Sequence, residues 1–388
     1  MSGTPGVPFL PYGRQSVDDE DVDAVMGALR APLITQGPLV DRFEEALARY
    51  AGAAHVTVCS NGTAALHLAY LALGLGPGDE IITSPITFVA TAAAAVYCGA
   101  RVRFADVDPD TGLISPRSVD SLAGPRTRGV VAVHLGGLPA DLRALREVAD
   151  RRRLWLVEDA AHALGATYRD KPVGCGAFSQ ATTFSFHPVK HLTTGEGGAV
   201  AVGDPALKRS MDQLRHHGIE RDPSRYSRPS PGPWYHEVSR VGFNYRLTDF
   251  QCALGLSQLA KQPAWLARRR AIAARYRRGI DLRGLGGWVR VQSQPEDRDS
   301  AWHLFPILVS FEKTGRTRAA LMEALKGKGI GTQVHYIPVH LQPAYRTEDD
   351  LPGAQAWYER ELSLPMYPAL RDEDVDRVLD ALAAELKG

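Results

Sequence analysis

Leu154-Trp155-Leu156-Val157-Glu158-Asp159-Ala160-Ala161-His162 is an apolar run that closes on two acids and then on small residues. Residues 154–159 read as a short buried strand with a carboxylate at its carboxyl end. Similar runs lie upstream at 55–59, 80–83, 101–106 and 129–134, and downstream at 182–186 and 198–202. Helix-like stretches such as 63–73 and 142–152 separate most of them. Repeated strand–helix alternation predicts an α/β fold with a mainly parallel sheet covered by helices on both faces. Ligands of open α/β sheets bind outside the carboxyl ends of the strands. Asp159 is therefore the first candidate site residue, although Asp also suits a helix N-cap.

The second lies in Ser185-Phe186-His187-Pro188-Val189-Lys190, which Thr193-Thr194-Gly195-Glu196-Gly197-Gly198 follows closely. A lysine amine condenses with an aldehyde, and a carboxylate at a strand end holds a ring nitrogen protonated. Pyridoxal 5′-phosphate (PLP) needs both partners. Gly62-Thr63-Ala64 open a helix directly after a strand. Small residues there let the backbone approach a phosphate, and exposed N–H groups at a helix start favour anions. No Gly-Lys-Ser/Thr follows, so this is not a Walker loop.

Further blocks are Asn61-Gly62-Thr63-Ala64-Ala65-Leu66, Ser84-Pro85-Ile86-Thr87-Phe88-Val89-Ala90-Thr91, Glu158-Asp159-Ala160-Ala161-His162-Ala163-Leu164-Gly165-Ala166 and Gly242-Phe243-Asn244-Tyr245-Arg246-Leu247-Thr248-Asp249. In this order they resemble the DegT/DnrJ/StrS sugar aminotransferases, nearly end to end. The resemblance implies a fold-type-I PLP-dependent transferase: a large domain on a mainly parallel seven-stranded sheet and a smaller α+β C-terminal domain. Within the family, His162-Ala163-Leu164-Gly165, Ser185-Phe186-His187, Ala253-Leu254-Gly255-Leu256-Ser257-Gln258-Leu259 and Gln333-Val334-His335-Tyr336 are most similar to the branch serving pseudaminic-acid synthesis. That branch aminates C4 of a UDP-linked 4-keto-6-deoxy-N-acetylhexosamine, with L-glutamate as the family's usual donor.

Roles carried by the resemblance follow residue by residue. Lys190 and Asp159 are catalytic. Gly62, Thr63, Ala64 and Ser185 bind the PLP phosphate, Phe88 stacks on its ring, and His162 lies near its phenolic oxygen. Core packing is the ordinary alternative for Phe88 and His162. Asn244 and Arg246 reach the phosphate of a partner subunit's cofactor in a homodimer with shared active sites; otherwise they form a surface turn before a helix. The sugar nucleotide meets Tyr12, Pro32, Leu33, Ile34, Thr35, Gly62, Ser185, Asn244, Gln333, Val334, His335 and Tyr336. Pro188 departs from the family's usual Ala, and His191 and His340 read as structural or rim residues.

The 388 residues carry a formal net charge of +1, with 44% hydrophobic and 23% charged residues. That is the balance of an ordinary globular protein, with no charge signal for nucleic acid or membrane. No apolar stretch reads as a bilayer span and no signal peptide is evident. Cys59, Cys98, Cys175 and Cys252 form no CxxC pair, so neither a metal site nor a disulfide framework is suggested and a cytoplasmic setting is expected. The chain divides into an N-terminal arm (1–15), a large PLP-binding domain (16–260) and a small domain (261–388). A helix is expected over 248–278, broken near Pro263, and strands over 303–310 and 331–337. Residues 220–233, rich in Pro, Ser, Arg and Gly, read as a mobile excursion.

Three other functions compete. A relative acting on a dTDP-, GDP- or CDP-linked keto sugar or a cyclitol differs only in substrate. A PLP-type sugar dehydratase would carry His in place of Lys190. A regulatory relative that has lost catalysis could have lost Lys190, Asp159 or Ser185, and all three are present.

Overall fold

The computed structural model describes residues 8–387. Residues 1–7 of the expected arm lie outside the described residues. Seven strands form the large sheet: β1 (His55–Cys59), β2 (Glu80–Thr83), β3 (Arg101–Phe104), β4 (Thr127–Val133), β5 (Trp155–Asp159), β6 (Ala181–Ser185) and β7 (Gly198–Val202). Their order is β1-β7-β6-β5-β4-β2-β3. The pairs β6-β5, β5-β4, β4-β2 and β2-β3 are parallel, while β7 runs antiparallel to both its neighbours. The sheet is α/β and mainly parallel, as the alternation predicts.

The strands β6 and β7 form a hairpin whose long loop holds Lys190. That loop is tied at its neck by Phe186 N–H to Gly197 O (2.8 Å) and Thr194 N–H to Phe186 O (3.1 Å). At the sheet end, Gly198 lies so close to the turn before the helix Gly62–Ala72 that a Cβ would come within 2.5 Å of Asn61 O. The loop and the helix start are thereby pressed together at one corner.

The helix Asp249–Leu282 runs on unbroken through Pro263 and past the expected boundary at 260/261. The predicted break is absent. Proline removes one N–H and crowds the preceding turn, but the helix is fixed elsewhere. Thr248 and Gln251 form a capping box at its start, and it packs against the helices Asp19–Leu29, Pro38–Ala51 and Asp372–Lys387.

A separate core gathers Ile272, Tyr276, Phe305, Ile307, Leu379 and Leu382, together with Leu10 from the arm. Its sheet has three antiparallel strands, Val289–Val291, Phe305–Val309 and Glu361–Leu364. The strand expected over 331–337 does not form. Gln333 makes a single bridge with Ser363. Two residues on, the His335 N–H donates to the Glu361 carboxylate at 2.7 Å. A side chain thus takes a donor that a continuing ladder would have used.

The arm holds this segment from its other side, with Leu10 N–H to Gly329 O and Gly331 N–H to Leu10 O. Between the two cores, Ile86, Phe104 and Leu135 pack with Leu308, Val339 and Trp357. Residues 220–233 are an exposed excursion closed by the two-residue pair Ile219–Glu220 and Glu237–Val238.

Candidate active site

A cavity of about 1210 Å³ opens where the carboxyl ends of the sheet strands face residues 333–345. Strand alternation divides the two acids of β5 between opposite faces. Glu158 turns away and is consumed: it pairs with His134 Nε2 (2.8 Å) and accepts from Ser179 and Thr182. Asp159, 7% exposed, lines the cavity. Its Oδ2 accepts from Thr91 Oγ1 at 2.7 Å and its Oδ1 from Ala161 N–H at 3.2 Å. It has no cationic partner within ion-pair distance among the described residues.

Lys190 lines the same cavity. Burial lowers its ammonium to about 8, against the opposing pull of Asp159. Removing water disfavours the charged form, so about a tenth of the amine is free at pH 7, far more than for an ordinary lysine.

At the corner where the loop meets the helix, Asn61 caps the helix by accepting Ala64 N–H at 2.8 Å. The N–H groups of Gly62 and Thr63 have no partner among the described residues. A Cβ on Gly62 would sit 2.9 Å from Ser185 Cβ, so the bare glycine leaves a niche between two free amides and a hydroxyl.

His162 accepts Gly136 N–H at Nδ1 (3.4 Å) and lies 3.2 Å from the Tyr336 hydroxyl through Nε2. Burial chiefly, then the Lys190 charge, hold it well below the ordinary histidine range. It is therefore neutral, with its proton assigned to Nε2 by these partners. Phe88, 58% exposed, lines the cavity beside Tyr336, with ring centres 6.3 Å apart. It is a wall residue and not packed core.

Tyr12, Gln333, Val334, His335 and Tyr336 also line the cavity. The remaining expected residues do not. Pro32, Leu33, Ile34 and Thr35 are exposed and lie outside it, as does Asn244. Arg246 donates to His216 Nδ1 at 2.8 Å; only Tyr245 between them reaches the cavity.

A model of the DegT/DnrJ/EryC1/StrS aminotransferase family matches residues 15–383. This chain belongs to that family. It is 40% identical to the spore coat polysaccharide biosynthesis protein SpsC of Bacillus subtilis over 387 residues, covering 98% of each chain. Helicobacter pylori PseC, an aminotransferase involved in the biosynthesis of pseudoaminic acid, matches with a TM-score of 0.90 and 32% identity over 98% of this chain and 99% of that one. The aminotransferase TlmJ from Streptoalloteichus hindustanus matches with a TM-score of 0.89 and 31% identity, also over 98% and 99%. The protein is a PLP-dependent sugar aminotransferase of the DegT/DnrJ/EryC1/StrS family.

Its residues fit the cofactor on three counts. A buried carboxylate lacks a cation, which a protonated pyridine ring would supply. A niche with two free backbone N–H groups beside Ser185 suits a phosphate. The Lys190 amine is partly deprotonated and makes no ion pair among the described residues. Sequence reasoning gave no role to Thr91, which holds Asp159, or to His303, whose ring is tilted against that of His162 with centres 4.3 Å apart. Neither carries a local signal, because each contact joins distant segments of chain.

Proposed function

We propose that the enzyme moves an amino group from L-glutamate to C4 of a UDP-linked 4-keto-6-deoxy-N-acetylhexosamine, as in pseudaminic-acid-type sugar synthesis. The observation that carries this reading is the pairing of walls: Lys190 and Asp159 on one side face Gln333 to Tyr336 on the other. Those last residues, with His162, carry the likeness to the pseudaminic-acid branch, and the match to PseC supports it. A second reading, another nucleotide-linked keto sugar or a cyclitol, is favoured by the even spread of identity, 32% to PseC and 31% to TlmJ.

When bound, PLP supplies an electron sink for the charge that develops at the carbon bearing the amine. Lys190 takes the proton from the α carbon of glutamate as general base, for which its lowered pKa suits it. In the second half-reaction it delivers a proton to C4 of the sugar. Asp159 holds the ring-nitrogen proton and is itself oriented by Thr91. Gly62, Thr63, Ala64 and Ser185 hold the phosphate. The Ala64 N–H is already engaged by Asn61, so the first two amides carry most of that contact. Phe88 would cover the ring, and His162 would stand beside its oxygen.

The working unit in this proposal is a homodimer. Asn244 and Arg246 from one copy complete the phosphate site of the other, and Pro32 to Thr35 complete its sugar site. The exposure of Asn244 and of Pro32 to Thr35 outside their own cavity supports this, as do the exposed Tyr97, Trp234 and Val241. A cytoplasmic setting belongs to the same proposal. Incubating the PLP-loaded enzyme with glutamate and either UDP- or dTDP-linked 4-keto sugars, with mass detection of the amino sugar, tests the substrate. Amination of the dTDP sugar alone would refute the UDP assignment.

A further inference from the structure

Behind the substrate wall, Glu361 is wholly buried at the start of its strand. Its Oε2 accepts the His335 N–H at 2.7 Å, and its Oε1 lies 2.6 Å from Ser363 Oγ. The same Ser363 Oγ lies 2.8 Å from His335 Nδ1. The other ring nitrogen, Nε2, has no partner among the described residues, while the ring lines the cavity. Burial first, and the Lys190 charge second, hold His335 down to about 3. Its ring is therefore neutral and bears a single N–H.

A serine hydroxyl has one proton to give. When Glu361 is ionised, Ser363 donates to it. Nδ1 must then bring its own hydrogen, and Nε2 faces the cavity as a bare acceptor. When Glu361 is a carboxylic acid with its proton on Oε1, that proton goes to Ser363. The hydroxyl turns to Nδ1, and Nε2 carries the hydrogen. Either arrangement satisfies all the buried atoms, so the protonation of a remote carboxyl reverses the polarity of a group at the substrate surface.

We propose that Glu361 and Ser363 are positioning residues that set whether His335 meets the sugar nucleotide as a hydrogen-bond donor or as an acceptor. The partner of the donor form is an oxygen of the substrate, carbonyl or phosphate. The groups around the relay are few. Arg318 is the cation that acts on Glu361, but it donates to backbone oxygens of Tyr358 and Glu361 and not to the carboxylate. Lys190, His162, Tyr12 and Tyr336 face His335, and Trp357 Nε1 holds its backbone oxygen. Burial pushes Glu361 up to about 8. The donor form therefore prevails at neutral pH and the acceptor form above about pH 8. This rests on the reading of His335 as a substrate contact for its consequence, but not for the relay itself.

The test is ¹⁵N NMR of the substrate-free holoenzyme labelled at histidine, with His335 assigned from the signal missing in His335→Asn. The protonated nitrogen should move from Nε2 to Nδ1 as pH rises through about 8. In Glu361→Gln the amide oxygen accepts His335 N–H and the amide nitrogen donates to Ser363, so the hydrogen should stay on Nε2 throughout. In Ser363→Ala the move near pH 8 should vanish. No move in the wild type would overturn the relay. A move persisting in either variant would do the same, by assigning it to a titrating group other than Glu361. The kinetic counterpart is the KM for the keto sugar, which should rise about 3- to 10-fold above pH 8 in the wild type and stay level in Glu361→Gln. The NMR readout needs no substrate, so it stands or falls separately from the sugar assigned above.

Discussion

Two regions of the molecule hold their functional polar groups in opposite ways. Around Asp159 every contact is internal: Thr91 and Ala161 fix the carboxylate, and Thr87 in turn lies 2.8 Å from Thr91. Around Asn244 and residues 32–35, side chains stand exposed, outside the cavity they are expected to serve. The first region is complete within one chain. In the dimer proposed above, the counterpart of the second region's groups is another copy. A cofactor wall must be preorganised to place a proton, whereas a surface that closes a partner's site can remain open until the partner arrives.

The sharpest way to break this contrast is at the complete wall. Lys190→Ala should lose transamination to background, because the amine that anchors the cofactor and moves the proton is lost in one step; near wild-type turnover would remove Lys190 from the mechanism. Asp159→Asn comes next. The amide keeps its shape and its contact with Thr91 but cannot hold the ring-nitrogen proton, so single-turnover rates with glutamate should fall ~10²-fold or more while PLP occupancy is retained. Equal loss of occupancy and rate would mean that Asp159 only binds.

A smaller effect follows from the Lys190 pKa of about 8. Only the free amine attacks an aldehyde, so uptake of PLP by cofactor-free enzyme should speed up about 10-fold from about pH 7 to a plateau above about pH 9. A rate that is flat over this range would show the amine to be free already at pH 7.

The smallest effect probes the incomplete region. Lys190→Ala and a double Asn244→Ala, Arg246→Ala variant should each be inactive. In a mixed dimer one site collects both defects and the other none, so random reassortment should restore roughly one site in four. Verified mixed dimers without activity would return Asn244 and Arg246 to their own chain.

The complete wall was legible because its signals are local. Each sheet strand lies within about two residues of its apolar run, and an acid at a strand end or a glycine at a helix start announces itself in one stretch of chain. Elsewhere the deciding partner is remote. Pro263 reads as a break because local rules disfavour it, yet packing and caps carry the helix through. Residues 331–337 read as a strand because their apolar alternation gives no notice that Glu361 captures the His335 N–H. Thr91 could not be assigned to Asp159 from sequence, since 68 residues separate them.

The most direct test of the central claim is to reduce the yellow holoenzyme with borohydride and map the modified peptide by mass spectrometry. Of the other lysines, Lys208, Lys261, Lys326 and Lys328 are paired with carboxylates, and Lys171, Lys313 and Lys387 lie outside the cavity, whereas Lys190 lines it together with Asp159. The account predicts one pyridoxyl group, on Lys190, and its loss when glutamate converts the cofactor before reduction. A stable pyridoxyl group on another lysine, or none on any, would contradict it.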